Sequence, residues 1–187
     1  MKMVNAQLDM AVLKLIECFK SGGKLMVCGN GGSSSDSAHI VGELVKGFLK
    51  KRPLPPEWNA LLGKNNLQMG LPALDLTAQG AVISAIVNDL GGEYIYAQQV
   101  LAYGNPGDML IGISTSGNAK NVELAMRAAK LKGVTCVGLT GKGGGKLRAL
   151  SDILIESTET ETYRVQEEHI KLYHELCMRV EAEFFEE

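Results

Sequence analysis

Residues 108–130 read DMLIGISTSGNAKNVELAMRAAK. Met109 to Ile113 is an apolar run too brief for a helix and suited to a buried parallel strand. Ser114-Thr115-Ser116-Gly117-Asn118 ends it with small, mostly polar residues. From Ala119 the apolar positions Val122, Leu124, Ala125, Ala128, Ala129 and Leu131 recur at helical spacing, and Gly133 stops the run. The stretch therefore predicts a strand, a hydroxyl-rich loop and a helix N-terminus. The first N–H groups of a helix have no partner within it and carry partial positive charge, so such an end attracts anions. The hydroxyls of Ser114, Thr115 and Ser116, with the Asn118 amide, can bond phosphate oxygens without a full positive charge. The alternative is that Ser116 or Asn118 caps the helix.

The pattern occurs a second time. Lys24 to Cys28 reads as a strand, Gly29-Asn30-Gly31-Gly32-Ser33-Ser34-Ser35-Asp36 as a loop, and a helix follows to about Lys50. Gly29-x-Gly31 raises a dinucleotide site. Ser34 stands where the third glycine belongs, however, and no acidic residue closes a second strand about 20 residues on. Residues 1–23 form an amino-terminal packing helix with a Ser-Gly-Gly stop. Residues 51–70 (KRPLPPEWNALLGKNNLQMG) break the composition with three prolines and the single Trp, and read as a loop or lid insertion with a short helical piece. Further strands are expected at 72–77, 134–140 and 152–156. Further helices are expected at 78–87, at 93–103 and from 161 to the end, with Asn88 and Asp89 in the loop after the first of them. Gly141 to Gly145 lacks P-loop spacing and reads as a flexible turn. Strands alternating with helices give one α/β domain, residues 1–187, with a parallel sheet whose ligands belong at the carboxyl ends of its strands.

Composition narrows the function. The net charge is -2 with no Lys/Arg cluster, which argues against a nucleic-acid partner. No apolar run approaches the roughly 18 residues of a membrane span, and the amino terminus lacks a signal peptide's apolar core. Cys18, Cys28, Cys136 and Cys177 are far apart, two of them in expected buried strands, so reduced thiols in a cytoplasmic protein are expected.

His39 and Glu43, four apart, project from nearly one helix face. In the last helix Gln166 and His174, eight apart, share a face two turns apart. Two imidazoles and a carboxylate brought together by two helices could hold a divalent metal such as zinc, and the same Glu could move protons. The alternative is two solvated helix faces. Spacing alone does not choose Gln166 over His169 or Glu167.

CGNGGSSSDSAHIVGEL, VND, GISTSGNAKNV, LTGKGGGK and RVQEEHIKLYHELC, in this order, resemble the bacterial phosphoheptose isomerases of the sugar-isomerase (SIS) domain group. The HxxxE and QxxHxxxxH patterns are the specific part. The resemblance implies a single SIS domain, a flavodoxin-like three-layer sandwich with a central parallel sheet flanked by helices. It implies an aldose–ketose isomerase converting D-sedoheptulose 7-phosphate to D-glycero-D-manno-heptose 7-phosphate through an enediol, towards bacterial surface heptose. It further implies one zinc ion per subunit and a homotetramer with active sites at subunit interfaces. By position, His39, Glu43, Gln166 and His174 match the metal ligands, and Glu43 and His174 the proton-moving pair. Asn30, Gly31, Gly32 and Ser33, then Asn88 and Asp89, then Ser114, Thr115 and Ser116 match substrate loops, with Glu43 and Gln166 also touching substrate. Gly47, Ala119 and Tyr163 depart from an Arg, a Ser and an Asp found in some members. The competing readings are a non-catalytic SIS module binding a sugar phosphate or a protein, and another sugar-phosphate isomerase of this fold.

Overall fold

The computed structural model describes residues 2–63 and 66–185, with side chains from residue 6 onward. The chain runs α1 (Lys2–Lys20), β1 (Leu25–Gly29), α2 (Gly32–Val45), α3 (Pro56–Leu62), β2 (Ala73–Asp75), α4 (Gly80–Asp89), α5 (Ile95–Tyr103), β3 (Met109–Ser114), α6 (Lys120–Leu131), β4 (Thr135–Thr140), β5 (Ile153–Glu156) and α7 (Thr162–Phe184). Short 3-10 turns occupy Gly92–Tyr94 and Gly145–Leu150. All strand pairs are parallel, in the order β2-β1-β3-β4-β5. This is a flavodoxin-like doubly wound order, with its switch point between β1 and β3.

Each strand alternates its side chains between two cores. Leu25, Val27, Met109, Ile111 and Ile113 face one core, closed by Leu8, Val12 and Leu15 of α1, Ile40 and Leu44 of α2, and Tyr173, Leu176 and Val180 of α7. Met26, Cys28, Leu110 and Cys136 face the other, closed by Val100 of α5 and Val122 and Met126 of α6. Gly112 sits where α6 crosses: a Cβ there would lie 2.8 Å from Val122 Cγ1, so only glycine lets the helix pack this close.

Three boundaries differ from the sequence reading. The helix after the first loop ends at Val45, not near Lys50, because Lys46 turns extended. The N–H groups of Phe48 and Leu49 then donate to the Glu181 carboxylate (2.8 Å each) instead of continuing the helix. Asn88 and Asp89, expected in a loop, form the last turn of α4, and Gly91 with φ 113 ends it. Gly145, expected in a flexible turn, opens the 3-10 segment. Residues 51–70 carry α3 and an antiparallel bridge between Pro53 and Gln68; residues 64 and 65 of this stretch, like 186 and 187 of the last helix, lie outside the described residues.

Candidate functional site

The loops after β1 and β3 open side by side at the switch point. Asn30 and Asn121 join them through a reciprocal amide pair, Asn30 Nδ2 donating to Asn121 Oδ1 (2.8 Å) and Asn121 Nδ2 to Asn30 Oδ1 (2.9 Å). Tyr96 Oη donates to the Gly29 carbonyl at 2.5 Å. In the second loop Ser114 is buried, Thr115 half-buried and Ser116 exposed. Gly117 has φ 66, and a Cβ on it would lie 2.1 Å from the Gly144 carbonyl oxygen, so the loop is pressed against the glycine turn after β4. Asn118 bonds Ser116 (Nδ2 to the carbonyl, 2.9 Å) and accepts from Lys146 N at 3.1 Å. The capping alternative is not what forms: the N-cap of α6 is Ala119, and no side chain caps it. The start of α2 likewise has no side-chain cap, with Gly31 at φ 56. Two helix N-termini thus face the same crevice, a setting for an anion.

Helix α7 lies alongside α2 and runs the same way. Gln166 packs against Gly32, its Nε2 only 2.1 Å from where a Cβ would stand, so residue 32 must be glycine for the amide to reach there. Two turns further, about 10 Å along α2, His39 meets α7. His39 Nε2 is 3.2 Å from Glu43 Oε1 and 3.4 Å from His174 Nε2. His39 Nδ1 is 2.9 Å from Tyr173 Oη, which also donates to Asp36 Oδ1 at 3.3 Å. Lys46 Nζ holds the other Glu43 oxygen at 3.0 Å. Burial raises the Asp36 carboxyl above its usual range, with the Tyr173 hydrogen bond and His39 opposing. Burial, then the Asp36 carboxylate, pushes the Tyr173 phenol up, so it keeps its proton.

Of the residues singled out from sequence, His39, Glu43 and His174 come together. Gln166 stands beside the first loop, and Asn88 and Asp89 are exposed on α4, bonded to each other at 2.6 Å. His169 is fully buried, and neither ring nitrogen has a hydrogen-bond partner among the described residues. Burial pushes its pKa down against weaker pulls from Thr140 and Glu168. It faces the interior, which separates it from Gln166 and His174. The glycine at 47 is fixed by crowding: a Cβ would meet the Lys50 carbonyl oxygen at 2.6 Å and Gln68 Oε1 at 2.7 Å. The cation beside Glu43 is Lys46. Sequence reasoning missed Asp36, Tyr173, Lys46 and Asn121. Asp36 precedes His39 by three positions on α2, a spacing that could have found it; Tyr173 and Asn121 meet partners 134 and 91 residues away.

Among the described residues no group of three or more His, Cys, Asp or Glu is placed so that it could hold a metal ion as it stands. The two ligand–ligand edges present do suit zinc. Tetrahedral bonds of 2.0–2.1 Å require ligand atoms about 3.3 Å apart, against 3.2 and 3.4 Å here. Two neutral imidazoles and a carboxylate are also the donor types zinc takes.

Residues 2–141 match the SIS domain family model. The phosphoheptose isomerase of Nitratidesulfovibrio vulgaris is 46% identical over 165 residues, covering 88% of this chain and 72% of that protein. That of Aneurinibacillus thermoaerophilus is 41% identical over 178 residues, covering 95% and 82%. The structure of the Neisseria gonorrhoeae phosphoheptose isomerase superimposes with a TM-score of 0.82 at 33% identity, covering 97% of this chain and 88% of that one.

Proposed function

The chain belongs to the SIS domain family, among its phosphoheptose isomerases, and from that premise we propose how its own residues interconvert D-sedoheptulose 7-phosphate and D-glycero-D-manno-heptose 7-phosphate. The observation that carries the reading is the meeting of His39 with both Glu43 and His174, two helical turns from a crevice lined by hydroxyls and helix N-termini. The phosphate sits against Ser114, Thr115 and Ser116 at the start of α6. Asn30, Gly31, Gly32 and Ser33 then align the sugar chain, and its reacting end lies over Glu43.

Isomerisation removes a proton from the carbon beside the carbonyl and returns one to the neighbouring carbon. Glu43 is the base, its second oxygen held by Lys46, and His174 carries the proton on and off the oxygens of the enediol. His39, Glu43 and His174 would hold a zinc ion; Gln166, the fourth ligand implied by the family pattern, stands about two helical turns away beside Gly32. When bound, the ion supplies positive charge for the developing oxyanion. Gln166 is well placed to hydrogen-bond the sugar beside Gly32. The product would serve bacterial surface heptose synthesis.

A homo-oligomer, a tetramer by the family pattern, with substrate contacts shared between subunits follows from the same reading. It is supported by apolar residues left exposed on one side, Val82 and Val87 of α4 with Leu90, Tyr94 and Leu101. Asn88 and Asp89 stand on this surface, where they could reach a neighbouring subunit's crevice. Four buried free thiols suit a reducing, cytoplasmic setting, and no helix among the described residues is long and apolar enough to cross a membrane.

The test is incubation with sedoheptulose 7-phosphate and zinc, with the product identified by NMR. Formation of the heptose 7-phosphate is expected. No conversion, with tight binding of the sugar phosphate, would replace this reading with the binding module.

A further inference from the structure

Tyr173 packs against both histidines of the site, which also meet each other at 4.9 Å between ring centroids. Its ring meets His39 edge-on at 5.3 Å between centroids and His174 at 5.1 Å. It is buried at 3% exposure, and its hydroxyl bridges two groups, His39 Nδ1 and Asp36 Oδ1. The phenol has one proton. A carboxylate oxygen can only accept, so that proton goes to Asp36, and the phenol oxygen is left to accept from His39 Nδ1–H. An imidazole whose Nδ1 carries the hydrogen offers its Nε2 lone pair to a cation, and here Nε2 points between Glu43 and His174; with no cation there, the Glu43 carboxylate, which can only accept, instead favours a hydrogen on Nε2. Such outer partners fix the tautomer and ring angle of a ligating histidine.

We propose that Tyr173, backed by Asp36, is a positioning residue that keeps the hydrogen of His39 on Nδ1 and aims Nε2 into the site. Removing the hydroxyl frees the ring to turn and lets the hydrogen move to Nε2, where it opposes metal binding. The inference rests on the reading of His39 as a ligand. It is separate from any role in gripping the sugar, because neither Asp36 nor the Tyr173 hydroxyl faces the crevice loops.

The full chain, labelled with 15N, settles it by long-range proton–nitrogen correlation of the His39 ring and by zinc titration against a chromogenic chelator. In the zinc-loaded parent protein Nδ1 is expected to be protonated. In Tyr173→Phe the Nδ1 proton is lost or shared with Nε2, and the zinc dissociation constant rises about 10–100-fold with the circular dichroism spectrum unchanged. An unprotonated Nδ1 in the zinc-loaded parent protein overturns the proposal, as does a Tyr173→Phe affinity within twofold of the parent. If Tyr173→Phe does not fold, the parent spectrum alone decides. A parent protein that binds no zinc would defeat the metal reading and this inference with it, whereas zinc binding with an unprotonated Nδ1 would defeat this inference alone.

Discussion

Arg52 is the residue whose loss should cost the fold most for a single polar change. Its guanidinium is fully buried and meets Glu181, also buried, at 2.9 Å from both Nε and Nη2. Its remaining donors go to the backbone of the helix that carries the site, Nη1 to the Leu44 carbonyl (2.5 Å) and Nη2 to the Glu43 carbonyl (3.0 Å). Glu181 also receives the Phe48 and Leu49 N–H groups, so one ion pair closes the end of α2 and the turn after it. Arg52→Met keeps an apolar stem reaching about as far as Nε but removes the guanidinium, and leaves a buried carboxylate without its cation. Breaking one side of a buried pair costs about 3–5 kcal/mol, and at about 2–4 °C per kcal/mol for a chain of this size the melting temperature should fall by about 6–20 °C. Urea unfolding, followed by circular dichroism, reads the change directly.

The pH dependence adds a second check. Burial alone would raise the Glu181 pKa, but the Leu49 and Phe48 N–H groups and Arg52 together hold it below the ordinary carboxylate range. A depressed carboxylate stabilises above its unfolded pKa of about 4.3, and that contribution is lost as pH falls through the folded value. The gap between parent and Arg52→Met should therefore be full at pH 7 and narrow on acidification below about pH 4. A loss under about 1 kcal/mol at pH 7 would show that desolvation cancels the pair's attraction, and would refute the argument.

Glu43→Gln is expected to lower kcat by about 10²–10⁴-fold while calorimetry still records sugar-phosphate binding; wild-type turnover would remove Glu43 from the chemistry. Ser116→Ala should raise KM more than it lowers kcat, since its loop grips a group remote from the reacting carbons, and a hundredfold fall in kcat alone would reassign the loop. Gly117→Ala places a Cβ 2.1 Å from the Gly144 oxygen at positive φ, so unfolding should cost at least about 1–2 kcal/mol and KM should rise as the loop is pushed away. An unchanged urea midpoint would show that the two loops yield freely.

The strand, loop and helix of 108–130 were legible because a short apolar run and a helical period follow each other with no competing signal. The end of α2 was not, because Leu-Val-Lys-Gly-Phe-Leu-Lys continues the helical pattern and the acceptor that captures Phe48 and Leu49 lies on α7. Asn88-Asp89-Leu90-Gly91-Gly92 reads locally as a turn, yet α4 runs through its first two residues before Gly91 can stop it. In the site, spacing found His39 with Glu43, but only the packing of α7 against α2 could separate an interior His169 from an outward His174. Tyr173 was invisible for the same reason: nothing near it in sequence says that its hydroxyl ends on His39.

His39 and His174 touch, although 135 residues separate them along the chain. At synthesis rates of about 5–20 residues per second, roughly 7–27 s pass between the appearance of the two. In that interval the crevice loops and every strand of the sheet have already been made. A nascent chain could hold a phosphate on its hydroxyl loop long before it has a second imidazole to move a proton. On the proposed assignment of these residues, ligand capture and turnover are acquired at different moments in the life of each molecule, and the second waits for α7 to dock.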